Sequence, residues 1–357
     1  MKVFKIFFML FLTLIFMAGV AISIKDLTSG NSLPIKDKNG DVMKQSISEL
    51  TKKDIGGMEQ WVLMRGYNIN YPVLLWLHGG PGSTQMPVHK YNSDLEKEFI
   101  VVHWDQRGAG KSNPKNFDES TMTVQQFIDD AHELTQYLKR RFNQEKIYLL
   151  GHSWGTQIGI EMAFTYPEDY FAYIGVSQLV DPERGNEIAY HWLTETIKQT
   201  GNQKDARALD NIGSPPYNEH ERFVKFINMV NRFGGSFDIS MASLAWTALQ
   251  ASEYKIKDYM AWINGSNRGS GPMWEETQKL NAIEQFNKID IPVYFFSGKN
   301  DYNTPLSLVE EYYENLQAKN KEMVVFENSA HTPLFRETEK FNRELFRVKE
   351  ETYVTQR

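Results

Sequence analysis

A serine with glycines two residues to either side, Gly151-His152-Ser153-Trp154-Gly155, joins an apolar run, Ile147 to Leu150, to an amphipathic stretch, Trp154 to Phe164. This is the pattern of a nucleophile elbow. The chain turns so sharply from strand to helix that Ser153 is held in a strained conformation, and bulky side chains at 151 and 155 would collide. A serine hydroxyl attacks a carbonyl only when a base takes its proton and a carboxylate holds that base in the right tautomer. Asp301 follows the apolar run that starts near Ile291, and His331 lies in the loop after the next run, Glu322 to Phe326. Of the rival carboxylates, Asp290 precedes its strand and falls at the wrong edge of a sheet, while Asp181 is a reserve. The negative charge of a tetrahedral intermediate needs two N–H donors. One is Trp154, at the start of the elbow helix, and the other is Gly80, in the turn His78-Gly79-Gly80-Pro81-Gly82 after a buried run.

These groups converge only if the surrounding elements form a parallel sheet with its strand ends on one side. Short apolar runs at 73–77, 99–104, 147–150, 172–180 and 322–326 alternate with helical periodicity at 123–142, 154–164, 305–316 and 333–349. Residues 42–50 and 60–64 read as antiparallel strands preceding them. Between residues 181 and 285 the strand signal gives way to helical, aromatic-rich sequence. The expectation is an α/β fold with a mostly parallel, doubly wound sheet and an inserted helical cap. Its core is built from residues 42–180 and 286–357. Residues 25–41 read as a tether. Ahead of them, Lys2 and Lys5 precede an uncharged stretch over residues 6–24, which reads as a signal peptide or membrane anchor and directs the catalytic part outside the cytoplasm.

The chain has 357 residues, a formal charge of −6 and no cysteine, which excludes thiol nucleophiles, disulfides, thiolate metal sites and a lipidated cysteine. No basic cluster dense enough to hold nucleic acid is present. Gly108-Ala109-Gly110-Lys111-Ser112 lacks the first glycine of a phosphate loop, because that position is Asp105. No histidine and carboxylate spacing suggests a metal, and the chemistry calls for no cofactor.

Taken together, His78-Gly79-Gly80-Pro81-Gly82, Asp105-Gln106-Arg107-Gly108-Ala109-Gly110-Lys111-Ser112, the Ser153 elbow, Asp301 and His331 resemble the prolyl aminopeptidase (proline iminopeptidase) branch of the α/β-hydrolases. The resemblance implies a Ser153, Asp301 and His331 triad, an oxyanion hole of Gly80 and Trp154, and cap glutamates that bind the substrate's free amine. The Trp-Glu pair of such caps has one counterpart, Trp274-Glu275. Glu183 and Glu187, one helical turn apart at the start of the cap, can face one side of a helix and are the other candidates. The expected function is release of N-terminal residues from small peptides through an acyl-enzyme. A carboxylesterase or lactonase with the same triad is the alternative, and a non-catalytic, membrane-tethered binding protein is the reading from another class.

Overall fold

The computed structural model describes Ser23 and residues 25–353. The stretch over residues 6–24 therefore lies, apart from Ser23, outside the described residues. Among the described residues no helix is long and apolar enough to cross a membrane.

Eight strands form one sheet: β1 (Ile47–Ile55), β2 (Met58–Gly66), β3 (Val73–Leu77), β4 (Ile100–Asp105), β5 (Ile147–His152), β6 (Tyr170–Val176), β7 (Val293–Gly298) and β8 (Lys321–Phe326). Their order is β1-β2-β4-β3-β5-β6-β7-β8. The pairs β1·β2 and β2·β4 are antiparallel, and every other pair is parallel. Alternation along β3 explains the layering. Val73, Leu75 and Leu77 point into one core with Phe127, Leu134 and Ile158, while Leu74 and Trp76 point into the other with Phe341 and Leu345. A strand buried on both faces needs apolar residues at every position, and β3 has them. The first core is covered by helices α1 (Val124–Phe142) and α2 (Gly155–Thr165).

The first hairpin departs from the sequence reading. Residues 42–46 are outside the strand, and β1 runs on through Lys52, Lys53 and Asp54 to a turn at Gly56 and Gly57, both with positive φ. Charged residues hid this strand because it lies at the sheet edge, where charge is tolerated on the exposed face and discourages edge-to-edge pairing. Residues 86–97, between β3 and β4, form irregular helical turns.

The cap carries α3 (Pro182–Thr200), α4 (Gln203–Ile212), α5 (His220–Arg232), α6 (Met241–Leu249) and α7 (Ile256–Arg268), followed by three short helical turns. Asp181, the reserve carboxylate, is the N-cap of α3 and accepts the N–H of Arg184. Asp290 is exposed beside Lys288. The core resumes with β7, α8 (Leu306–Asn315), β8 and α9 (Thr338–Thr352). Residues 25–41 are laid against the domain instead of hanging free. Gly30 donates its N–H to the Ser252 carbonyl at 2.7 Å, Arg65 Nη1 donates to the Leu33 carbonyl at 2.9 Å, and Ile35 is buried.

Candidate active site

Ser153 adopts φ +55°, a left-handed conformation that a non-glycine residue takes only at a cost. The reason for the flanking glycines is more specific than a mutual clash. A Cβ on Gly151 would stand 2.6 Å from the Gly155 carbonyl oxygen, and one on Gly155 would stand 2.4 Å from the Leu77 carbonyl oxygen at the end of β3. The elbow is thus wedged against the neighbouring strand. A Cβ on Gly79 would approach the Ser153 Cβ at 2.9 Å, so the glycine-rich turn closes over the nucleophile.

The structure brings Ser153, His331 and Asp301 into one hydrogen-bonded line. Ser153 Oγ is 2.8 Å from His331 Nε2, and His331 Nδ1 is 2.9 Å from Asp301 Oδ2. Asp301 and His331 are buried, and Asp301 also accepts the N–H groups of Asn303 and Thr304 and the Thr304 hydroxyl. Burial alone would raise the Asp301 carboxyl, but the His331 ring and the Thr304 donors outweigh it and hold the group below its ordinary range. An ionised Asp301 accepts the Nδ1 proton and leaves Nε2 free to receive one from Ser153. Neither the N–H of Gly80 nor that of Trp154 goes to another backbone carbonyl among the described residues. His78 shapes the turn before Gly80: its Nδ1–H donates to the Gly79 carbonyl at 2.9 Å, while Nε2 accepts the Gln106 N–H at 3.2 Å. Burial pushes this ring down to about 4, so it works uncharged.

Two side chains that sequence reasoning did not assign hold the loop bearing His331. His152, inside the elbow, accepts from Gln85 Nε2 on Nδ1 and donates from Nε2 to the His331 carbonyl at 3.1 Å. Burial, with the neighbouring His331, pushes its ring down to about 3, so it too is neutral. Ser177 donates to the same carbonyl at 3.1 Å. The cap grips the loop from the other side. The His331 N–H donates to the Ser236 carbonyl at 3.0 Å, and Asp238 accepts the Ala330 N–H at 2.7 Å and the Thr332 hydroxyl. The Tyr302 N–H, next to Asp301, donates to the Gly235 carbonyl at 2.8 Å, and Tyr302 stacks on Trp192 of α3. No local sequence signal marks Asp238, because its partners are some 90 residues away. Asp238→Ala is expected to lower kcat about tenfold or more with KM little changed, since charge-assisted bonds that align the base are lost and none to substrate is. Steady-state kinetics at fixed pH make the check, and an unchanged kcat would remove Asp238 from this role.

The three cap glutamates stand apart from the hydrogen-bonded line of the triad. Glu183, Glu187 and Glu275 are all exposed, and none is among the hydrogen-bond partners of Ser153, Asp301 or His331. Glu275 belongs to a short turn whose neighbour, Glu276, accepts the Val124 N–H at the start of α1. Among the described residues, the buried cap carboxylates are already engaged: Asp258 pairs with Lys111 at 2.7 Å, and Glu253 faces His89. No group of three or more metal-ligating side chains is present among the described residues.

Comparison with known proteins gives the family. The family described as alpha/beta hydrolase fold matches residues 72–338. A probable aminopeptidase, YbaC, of Bacillus subtilis is 34% identical over 313 residues, covering 85% of this chain and 97% of its own. A proline iminopeptidase of Heyndrickxia coagulans is 26% identical, covering 76% of this chain and 87% of its own. The crystal structure of a proline iminopeptidase from Mycobacterium smegmatis superposes with a TM-score of 0.64 at 18% identity, covering 85% of this chain and 98% of its own, a likeness of fold. The chain belongs to the α/β-hydrolase family, and within it stands with relatives named as aminopeptidases.

Proposed function

We propose that this chain is a serine aminopeptidase that releases N-terminal residues from small peptides through an acyl-enzyme, with its catalytic part directed to a membrane or beyond it. The observation that supports the reading most is the unbroken line from Ser153 Oγ through His331 to Asp301. In this mechanism His331 Nε2 takes the hydroxyl proton as Ser153 Oγ attacks the scissile carbonyl. The developing oxyanion is met by the N–H groups of Gly80 and Trp154, and His331 then gives the proton to the leaving amine. Water, activated by the same histidine, attacks the acyl-enzyme and restores Ser153. His331 passes through its charged form in each half-reaction, and the Asp301 carboxylate stabilises that form.

A free α-amine is a cation, and a partly desolvated site must meet it with a carboxylate. If Glu183, Glu187 or Glu275 serves, it must do so from the solvent-exposed rim. That exposure specifically favours a second reading, hydrolysis of esters or lactones, which need no such group. Parallel assays with aminoacyl amides, their N-acetylated forms and simple esters separate the two. An aminopeptidase is expected to lose about 10²-fold or more in kcat/KM on N-acetylation, because the charge that the site recognises is removed and the added acetyl group must be accommodated where the amine was held. Equal turnover of free and N-acetylated substrates would transfer the assignment to the ester reading.

A further inference from the structure

The cap carries an unpartnered apolar surface. Of ten large apolar side chains exposed among the described residues, five lie on two consecutive cap helices: Met241, Trp246 and Leu249 on α6, and Met260 and Ile263 on α7. Single exposed apolar residues need no explanation, but this concentration does. Helix α6, Met-Ala-Ser-Leu-Ala-Trp-Thr-Ala-Leu, contains no charged residue. Its Leu244 and Ala248 pack inward on Val88, and at a hundred degrees per residue Trp246 falls on the side opposite them, with Leu249 next to it, while Met241 is exposed at the start of the helix. Trp246 and Met241 are each 67% exposed and Met260 is 58% exposed, values more typical of charged surface residues than of tryptophan and methionine.

What covers this face is indicated by where the chain enters the domain. Residues 25–30 are fastened to the connector between α6 and α7: Lys25 Nζ donates to the Ala251 carbonyl, Gly30 N–H to the Ser252 carbonyl at 2.7 Å, and Asp26 accepts the Ile256 N–H at 3.1 Å. Leu27, 85% exposed, lies in the same segment. Ahead of Lys25 the sequence has no charge from Ile6 to Ile24, close to the roughly twenty apolar residues that match a bilayer's hydrocarbon thickness. An uncharged stretch held in lipid would bring the α6–α7 connector to the membrane surface. Lys25, Lys255 and Lys257 also lie at this connector, and Lys90 donates from Nζ to the Gln250 carbonyl at its start. Asp26 lies among them, while Glu253 and Asp258 are buried against His89 and Lys111, so the four lysines leave the connector able to meet anionic headgroups.

We infer that α6 and α7 form a bilayer-docking face, with Trp246 and Met260 at the boundary of headgroup and acyl chain and the connector lysines over anionic phosphates. The inference rests on the membrane-directed reading of the N-terminus. Its bearing on the site is direct, because the far end of α7 touches the glycine-rich turn: Ser266 Oγ donates to the Gly82 carbonyl at 3.1 Å. The face that rests on lipid thus belongs to the helix that roofs the oxyanion turn.

The absence of cysteine gives a clean test with the full chain. Trp246→Cys and Met260→Cys, each labelled with an environment-sensitive fluorophore, are compared with Lys319→Cys, an exposed position at the opposite, N-terminal edge of the strands. The chain is reconstituted in mixed phosphatidylglycerol and phosphatidylethanolamine vesicles. Labels at 246 and 260 are expected to shift to the blue, to be quenched by lipid-borne quencher, and to lose quenching by aqueous iodide several-fold relative to 319. Exchanging phosphatidylglycerol for phosphatidylcholine is expected to reduce those differences. Vesicle-bound chain with 246 and 260 as open to iodide as 319 would overturn the docking face while leaving membrane targeting intact. Failure of the chain to associate with vesicles would overturn the targeting reading and the inference with it. Shielding that persists in detergent and rises with protein concentration would assign the face to a second copy of the chain instead.

Discussion

Ser153→Ala is expected to lower kcat by about 10⁴-fold or more while leaving the unfolding transition almost where it was. The expectation follows from what the substitution removes. In the proposed mechanism Oγ is the atom that attacks, and it is the atom that His331 Nε2 meets in the elbow, at 2.8 Å. Alanine keeps the Cβ that fits φ +55° as serine does, so the wedge of Gly151, Gly155 and the end of β3 is undisturbed. The residual rate would come from substrate held against the N–H groups of Gly80 and Trp154. A fluorophosphonate should label the parent chain at Ser153 and leave the variant unlabelled. Turnover near the parent rate, or labelling mapped to another serine, would refute the assignment of the nucleophile.

The largest effect on stability is expected at Arg107, which takes no part in the chemistry. Its guanidinium makes a forked pair with Asp130 on α1, both contacts at 3.0 Å, and donates to the Gly56 carbonyl at 2.9 Å. Gln60 of β2 and Gln126 complete the shell around Asp130, and the side chains of Arg107 and Asp130 are 3% and 0% exposed. The cluster ties the first hairpin to β4 and α1. Arg107→Met leaves a buried carboxylate without its counter-ion, a change that costs about 3–5 kcal/mol. Even with Arg107 present, burial holds the Asp130 carboxyl above its ordinary range. An acid whose folded pKa lies above its unfolded one binds more protons when folded, so its contribution to stability falls as pH rises. The variant's deficit should therefore be largest at neutral pH and shrink on acidification. Asp130→Leu combined with Arg107→Met should recover much of the loss, because no charge is then stranded. Urea unfolding of the parent and the two variants across pH is the measurement, and an Arg107→Met midpoint within experimental error of the parent would contradict the argument.

How much of this was legible in the sequence depended on how local each constraint is. The elbow, β3 and α1 declare themselves within a few residues, through glycine spacing, an uninterrupted apolar run and a Thr123 cap that accepts the Gln126 N–H. Asp301 and His331 were legible because strand ends in a parallel sheet share one side, so position after a strand stands in for position in space. The β1–β2 hairpin was misplaced because charge at a sheet edge imitates a loop. Ser236 and Asp238 were invisible because their partners are remote in sequence and their own segment is irregular. The cap glutamates show what periodicity leaves open. Helical spacing correctly set Glu183 and Glu187 one turn apart, but periodicity tells which residues share a face and not what that face meets.

The suspension of the His331 loop between core and cap also bears on how such a fold can diversify. An inserted cap is often treated as a module that can be exchanged to change substrate while the catalytic floor stays constant. In this chain residues 235–238 belong by sequence to the insertion but by hydrogen bonding to the floor, since they hold the peptides of Ala330 and His331 and the N–H of Tyr302. Replacing the whole of residues 181–285 would discard part of the frame that aligns the base. Recombination or design that exchanges α3 to α5, or α6 and α7, around an intact 235–238 segment would keep that frame. The boundary between the part that could be exchanged and the part that aligns His331 therefore runs through the cap and not along its edge.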